Sequence, residues 1–64
     1  MLADRVCYRP EEAAAVLGVS RDVIFKLLAG GEIRSFRSGR VRLIPVEEIR
    51  DYVARKLAEE PMAD

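Results

Sequence analysis

Near the start of the chain, between residues 10 and 17, a proline and two glutamates are followed by five apolar residues. Pro10 suits the first position of a helix, because its missing N–H would have no helical partner there. Glu11 and Glu12 follow it and favour the positive end of a helix. Ala13 and Ala14 are strong helix formers that also allow a second helix to approach closely. This pattern predicts a short first helix packed against a neighbour.

A second helical stripe follows after a short interval. Gly18 can close the first helix in the left-handed conformation, Val19 can pack between the helices, and Ser20 can cap the second helix. Gly30 and Gly31 end it. Two short helices joined by a turn of about three residues predict a helix-turn-helix. Its buried stripe, at three- and four-residue spacing, is predicted at Val23, Ile24, Leu27 and Leu28.

The next segment has the pattern of two short strands. We predict strands at residues 33–36 and 41–44, joined by a turn around Ser38 and Gly39. A β-prone stretch at residues 6–8 predicts a further brief strand that can pair with another. The fold class is therefore mainly α with a small β-hairpin.

A last helix is expected after Pro45, which cannot extend the second strand inward. Asp51 and Arg55 are spaced as a favourable i, i+4 ion pair on it. Pro61 stops the helix, and residues 59–64 are expected to form a frayed tail. One face of the helix collects Val46, Ile49, Val53 and Leu57 with Tyr52 beside them, and the opposite face collects Glu47, Glu48 and Asp51.

Length and composition limit the class of protein. Sixty-four residues can bury only one small core, so we expect one compact domain over 1–64, with its core at about 8–58. Hydrophobic residues make up 50% and charged residues 34%, which is a globular balance rather than a disordered one. The longest apolar run is too short to span a bilayer, and the N-terminus lacks a signal-peptide core. These features predict a cytoplasmic protein.

Cys7 is the single cysteine, and histidine is absent. A zinc site or an intrachain disulfide therefore cannot be built from the usual ligands, and we expect no metal and no cofactor. The carboxylates fall on exposed helical faces, and no phosphate-cradling loop is present. We therefore do not expect an enzyme.

Charge is unevenly distributed along a chain whose net charge is zero. Residues 1–19 carry −1 and residues 45–64 carry −3, whereas residues 20–44 carry six cations against two acids, a balance of +4. Four arginines of that central segment lie in the predicted hairpin region without an acid. Such a hairpin directly after a helix-turn-helix favours a wing against a phosphate backbone over a merely solvated face. An arginine at its tip could also enter a minor groove.

Four residues of the second helix lie away from its buried stripe. Arg21 and Asp22 are the first candidates for base contact, because the N-terminal end of such a helix leads into the major groove. Asp22 can also simply interact with the helix dipole rather than accept from cytosine. Phe25 can touch a sugar or a thymine methyl, or can pack against the hairpin. Lys26 lies beside it.

The order and spacing of several short motifs resemble the excisionase family, small winged helix-turn-helix proteins related in fold to the DNA-binding domain of MerR-type regulators. The resemblance covers about residues 8–58. It implies a second helix in the major groove and a wing on the backbone or minor groove. The motifs are Glu11-Glu12-Ala13-Ala14, Leu17-Gly18-Val19-Ser20-Arg21, Gly31-Glu32-Ile33, Arg37-Ser38-Gly39-Arg40 and Pro45-Val46-Glu47-Glu48-Ile49.

The resemblance also implies which residues contact double-stranded DNA. Excisionases bind repeated sites beside an attachment sequence, bend the DNA and direct an integrase toward excision, without covalent chemistry of their own. The implied recognition-helix residues are Ser20, Arg21, Asp22, Phe25 and Lys26, and the implied wing residues are Arg37, Ser38, Gly39, Arg40 and Arg42. Arg34 is added to the wing candidates because of its charge.

Two positions depart from the family pattern. Arg9 stands where relatives usually have a capping Ser or Thr, which removes a cap of roughly 1 kcal/mol and frees the side chain to reach a phosphate. Arg34 stands where proline is common and adds charge to the hairpin. Both departures leave open which arginines contact DNA.

Other functions remain alternatives at this point. The same surface suits a small phage or prophage transcription regulator, or the DNA-binding part of a packaging terminase. A protein-binding adaptor working through the acidic last helix would leave the arginine hairpin unexplained. The opposite charges of segments 20–44 and 45–64 also suggest head-to-tail self-association along DNA.

Overall fold

Three helices and a small sheet make up the fold in a computed structural model that describes residues 5–60. This mainly helical chain with an antiparallel sheet confirms the predicted winged helix-turn-helix class. The elements in order are β1 (Cys7–Tyr8), α1 (Pro10–Leu17), α2 (Arg21–Ala29), β2 (Phe36–Ser38), β3 (Val41–Pro45) and α3 (Val46–Glu59).

The connection between α1 and α2 has the geometry that the sequence predicts. Gly18 adopts a left-handed conformation with φ of 79°, and the Val19 N–H donates to the Ala14 carbonyl at 3.0 Å. The Ser20 hydroxyl then accepts from the Val23 N–H at 3.3 Å and caps α2. A left-handed residue followed by this hydrogen bond ends a helix sharply. The two helices therefore meet within three residues.

The sheet has the strand order β1-β3-β2, and both pairings are antiparallel. The predicted strand at residues 6–8 is confirmed at Cys7–Tyr8, where it pairs with β3. Gly39 and Arg40 form the two-residue turn of the hairpin, with a φ of 65° at Gly39. A glycine with positive φ at the first central position is typical of a type II′ turn, which matches strand twist.

The first strand of the hairpin begins three residues later than predicted. Ile33 does not enter the sheet, and its side chain is 1% exposed in the core. The Arg34 N–H donates to the Glu48 carboxylate at 2.9 Å, rather than to a strand. Residues 33–35 are therefore held by the core and by α3, and β2 is Phe36–Ser38.

The core lies between the helices and the central strand β3. Ala13 and Ala14 are buried, as expected where α1 meets α2. Three residues predicted on buried stripes are instead exposed, namely Val23 at 38%, Val53 at 42% and Leu57 at 71%. The buried apolar side chains are Tyr8, Ala13, Ala14, Ile24, Leu27, Ile33, Ile44, Val46 and Ile49.

The exposed end of α3 explains why Val53 and Leu57 are not buried as predicted. Buried residues of α3 occur only in its first turn, at Val46 and Ile49, and Tyr52 is partly buried. The helix then continues beyond the body that it packs against, so an apolar stripe does not imply burial there. Residues 61–64 of the predicted tail lie outside the described residues, and Glu59 still belongs to the helix.

Polar contacts of α3 also differ from the prediction. Glu48, placed by the helical pattern on the outer face, has a side chain only 17% exposed because Arg34 covers it. Arg55 donates to the Glu32 main-chain carbonyl instead of pairing with Asp51. Lys56 lies 3.6 Å from the Glu32 carboxylate. These contacts hold α3 against the turn that follows α2.

Candidate nucleic-acid interface

The exposed face of α2 carries the side chains predicted to read DNA. Arg21, Asp22, Phe25 and Lys26 are all solvent-exposed, whereas Ile24 on the opposite face is fully buried. Ser20 precedes them, and its oxygen is engaged as the helix cap, which leaves its hydroxyl proton free to donate. The fold thus places these five residues on one end and one face of α2.

An open cleft of about 340 Å³ separates α2 from the hairpin. One wall is the start of α1 and the other is the hairpin, with the ring of Phe25 between them. The cleft residues are Arg9, Pro10, Glu11, Phe25, Arg37, Arg40, Val41 and Arg42. Four arginines therefore surround one carboxylate, which makes the cleft a site for an anion rather than for a cation.

Two of these arginines face each other across the hairpin. Arg37 and Arg42 are direct cross-strand partners, an arrangement in which like charges destabilise a sheet. Arg42 donates from Nη1 to the Ser35 hydroxyl at 2.7 Å, which fixes its direction. Within residues 5–60, neither Arg37 nor Arg40 forms an ion pair. The hairpin thus holds uncompensated positive charge beside α2.

Arg21 lies beside the cleft, where it contacts two of the cleft residues. Its Nη2 lies 3.4 Å from the Glu11 Oε2, and its guanidinium carbon lies 5.3 Å from the centre of the Phe25 ring. Phe25 is 39% exposed, so it contributes to the cleft wall without being buried by the hairpin. Its ring is thus available both to Arg21 and to a ligand in the cleft.

Arg34 lies apart from the other predicted wing residues. It precedes β2, and its Nη2 lies 3.3 Å from the Glu48 Oε2. The hydrogen bond from its main-chain N–H, reinforced by its guanidinium, lowers the pKa of the Glu48 carboxyl below the usual glutamate value. Its contacts here stabilise the fold, while its guanidinium remains largely exposed.

The start of α1 is stabilised in a way that the sequence reasoning missed. Arginine has no side-chain acceptor, so Arg9 cannot cap α1, but its main-chain N–H donates to the Glu12 carboxylate at 2.9 Å. Arg5 donates to both oxygens of Glu12, at 2.9 and 3.1 Å. These bonds lower the pKa of Glu12, with Arg5 as the main cause. The spacing Arg9-x-x-Glu12 matches half of a capping box and could have revealed it.

Other kinds of site find little support in the described part of the chain. No cluster of three or more potential metal ligands occurs among residues 5–60. The same residues include no helix with the length and apolar character needed to cross a membrane.

Comparisons with known proteins agree with this geometry. Residues 7–57 match the family model described as a helix-turn-helix domain. Over 62 residues the chain is 47% identical to a "Probable excisionase" from Saccharopolyspora erythraea, an alignment that includes 97% of this chain. The chain spans 63% of the length of that relative. No solved structure gave a significant match. The chain therefore belongs to the helix-turn-helix domain family, and its predicted resemblance to the excisionases is confirmed.

Proposed function

We propose that this protein is an excisionase that binds duplex DNA sequence-specifically, with α2 in the major groove and the β2–β3 hairpin on the adjoining backbone. Several copies bind side by side on attachment-site DNA, bend it and direct an integrase toward excision. One recognition helix and one wing cover only a short site, so a specific complex needs more than one copy.

The observation that carries this proposal is the Arg37–Arg42 pair. Two arginines facing each other in an exposed hairpin cost stability, and no carboxylate among residues 5–60 compensates Arg37. A phosphate backbone would neutralise both charges and would release condensed counterions. The pair is thus unfavourable in the free protein and favourable in a DNA complex.

The exposed face of α2 supports sequence reading by the same surface. Arg21 can donate two hydrogen bonds to guanine, and Phe25 offers an apolar edge suited to a thymine methyl. Asp22 lies in the first helical turn, where its charge interacts favourably with the helix dipole. Lys26 is one turn further along and suits a phosphate. Base contacts from α2 would choose the sequence, and contacts from the hairpin would supply affinity.

Selection of bound duplexes from a random pool tests the proposal most directly. We expect enrichment of a defined motif, and a log–log slope of affinity against salt of about −4 to −5 for five phosphate contacts. Arg21→Gln should relax sequence preference at one position, whereas Arg40→Gln should weaken binding to all duplexes by a similar factor. Affinity for duplex DNA that does not depend on salt would refute the proposal.

Self-association is expected to follow the charge distribution. The segment 45–64 carries −3 and the segment 20–44 carries +4, so the acidic C-terminal segment of one copy complements the basic segment of its neighbour. Ultracentrifugation with single-site and multi-site duplexes tests this contact. Cooperative filling of adjacent sites supports it, and strictly independent filling contradicts it.

An excision assay separates this function from transcription regulation. Integrase and attachment-site DNA should give excision only when the protein is added, and a gel-shift assay with permuted sites should show bending. If the protein binds its selected motif but neither promotes excision nor bends the DNA, a transcription regulator becomes the better assignment.

A further inference from the structure

Glu11 is the single carboxylate among the described residues that surround the arginine cleft. We propose that Glu11 is a specificity-determining residue: it positions Arg21 for guanine and withholds it from phosphate. This inference rests on the proposed DNA-binding function and assigns a role to a residue of α1, outside the recognition helix and the wing.

The geometry fixes Arg21 from two sides while leaving part of it open. The Glu11 carboxylate lies 3.4 Å from the Arg21 Nη2, and the centre of the Phe25 ring lies 5.3 Å from the guanidinium carbon. The remaining N–H groups of Arg21 form no hydrogen bond within residues 5–60. A guanidinium has five donors in a rigid fork, so one edge can stay on Glu11 while another edge faces a base.

Stability does not explain the Glu11–Arg21 contact. The two side chains are 57% and 69% exposed, and ion pairs that are this exposed contribute little to folding. A carboxylate beside four arginines also repels the phosphates that the cleft would attract. Its charge there opposes contacts with phosphates, and its favourable interaction with the α1 dipole does not require Arg21, so selectivity is the role left for the contact itself.

The benefit follows from the competing positions open to Arg21. On a sequence without guanine at the right place, a released Arg21 would bind a phosphate and add sequence-independent affinity. While Arg21 is held on Glu11, it adds no such affinity. On the correct sequence the same constraint orients the fork and reduces the rotamer freedom lost on binding. Glu11 thus widens the gap between specific and nonspecific complexes.

The test compares Glu11→Gln with Glu47→Gln. Both glutamates occupy the second position of a helix, in α1 and α3, and both substitutions remove one negative charge, but Glu47 does not line the cleft. Each variant and the parent protein are titrated with a selected duplex, with the same duplex altered at the guanine read by Arg21, and with a random-sequence duplex. Circular dichroism and melting curves verify that each variant folds.

Glu11→Gln should raise affinity for the random duplex about fivefold at 0.15 M salt. The log–log slope of that affinity against salt should become steeper by up to about 0.9, as expected for one added phosphate contact. Affinity for the selected duplex should stay constant or fall, so the discrimination factor drops about fivefold or more. In an Arg21→Gln background, Glu11→Gln should no longer change discrimination. Glu47→Gln should leave discrimination unchanged in both backgrounds.

Two results would overturn the inference. One is an equal gain for selected and random duplexes, which would make Glu11 only a general source of repulsion. The other is an effect of Glu11→Gln that persists without Arg21. If the parent protein bound none of the three duplexes, the proposed function itself would fail, and that outcome is visible before any variant is compared.

Discussion

Replacing Arg37 by glutamine should change folding stability and DNA affinity in opposite directions. Arg37 is the cross-strand partner of Arg42, and no ion pair compensates it within residues 5–60. Glutamine keeps a similar length and some hydrogen-bonding capacity but removes the charge. The substitution should therefore relieve repulsion in the free protein and remove a phosphate contact in the proposed DNA complex.

Both magnitudes follow from the position of the pair. Cross-strand pairs contribute roughly 0.2–1 kcal/mol, and an exposed, salt-screened pair belongs at the lower end, at about 0.3 kcal/mol. In a domain of this size such a gain raises Tm by about 1–2 °C. The loss of one phosphate contact lowers the salt slope by about 0.9, and releasing that many fewer counterions into 0.15 M salt weakens binding about fivefold, or about 1 kcal/mol.

Thermal melts and fluorescence titrations over a series of salt concentrations measure the two effects. Arg50→Gln is the matched control, because Arg50 is an exposed arginine of α3 that does not line the cleft. Arg50→Gln changes the net charge by the same amount as Arg37→Gln and should leave both Tm and the salt slope of DNA binding nearly constant. A lower Tm for Arg37→Gln would show that Arg37 stabilises the hairpin, and an unchanged slope would show that it touches no phosphate. Either result would refute the reasoning.

Three further substitutions test how the scaffold is held. Ser20→Ala should lower the unfolding free energy by about 1 kcal/mol in urea titrations, because the Val23 N–H loses its acceptor; an unchanged value would argue against the cap. Gly18→Ala should cost roughly 1–2 kcal/mol in the same assay although its Cβ has open space, since φ is 79°, and no loss would exclude backbone strain. Glu48→Gln should make the unfolding free energy depend less on pH in the acid range, because the lowered pKa of Glu48 provides stability that is present above about pH 4.5 and lost as the pH falls. An unaltered dependence on pH would contradict the link between Glu48 and Arg34.

Local residue chemistry was enough to predict the helix-turn-helix. The left-handed glycine at Gly18 and the cap at Ser20 are conformational requirements that few other residues meet, so they locate the turn within one residue. Ala13 and Ala14 predicted the close approach of two helices, and both are buried. These features depend on neighbours along the chain, which a sequence displays directly.

Tertiary contacts explain where the prediction failed. Ile33 has a β-branched side chain that favours a strand, but it lies in the core outside the sheet, and β2 begins three residues later than predicted. Val53 and Leu57 continue a helical stripe past the body that could cover it. Glu48 is drawn under Arg34 by a main-chain hydrogen bond that no pattern of side chains reveals. Each error concerns a partner distant in sequence.

At the candidate site too, local features were predictable from the sequence and tertiary contacts were not. Sequence spacing was sufficient to nominate the residues of α2 and the hairpin, and their contacts with DNA stay predictions. Their relation across the cleft was not predictable, because Glu11 and Arg9 reach it from α1 only when the chain is folded. Arg34 was nominated on charge alone, and in the fold it lies outside the hairpin strands.

The zero net charge of this protein is compatible with DNA binding because its acids are placed selectively. Acidic groups pair with cations away from the hairpin in the contacts Arg5–Glu12, Arg34–Glu48 and Lys56–Glu32, and Glu11, the carboxylate of the cleft, pairs with Arg21 of α2. On the hairpin itself, Arg37 and Arg40 have no such partner within the described residues. A uniform distribution of the same residues would neutralise that surface without altering the total charge. Local uncompensated charge, rather than isoelectric point, is thus the quantity that bears on the proposed binding to a phosphate backbone, because electrostatic interactions beyond about 8 Å are screened at physiological salt.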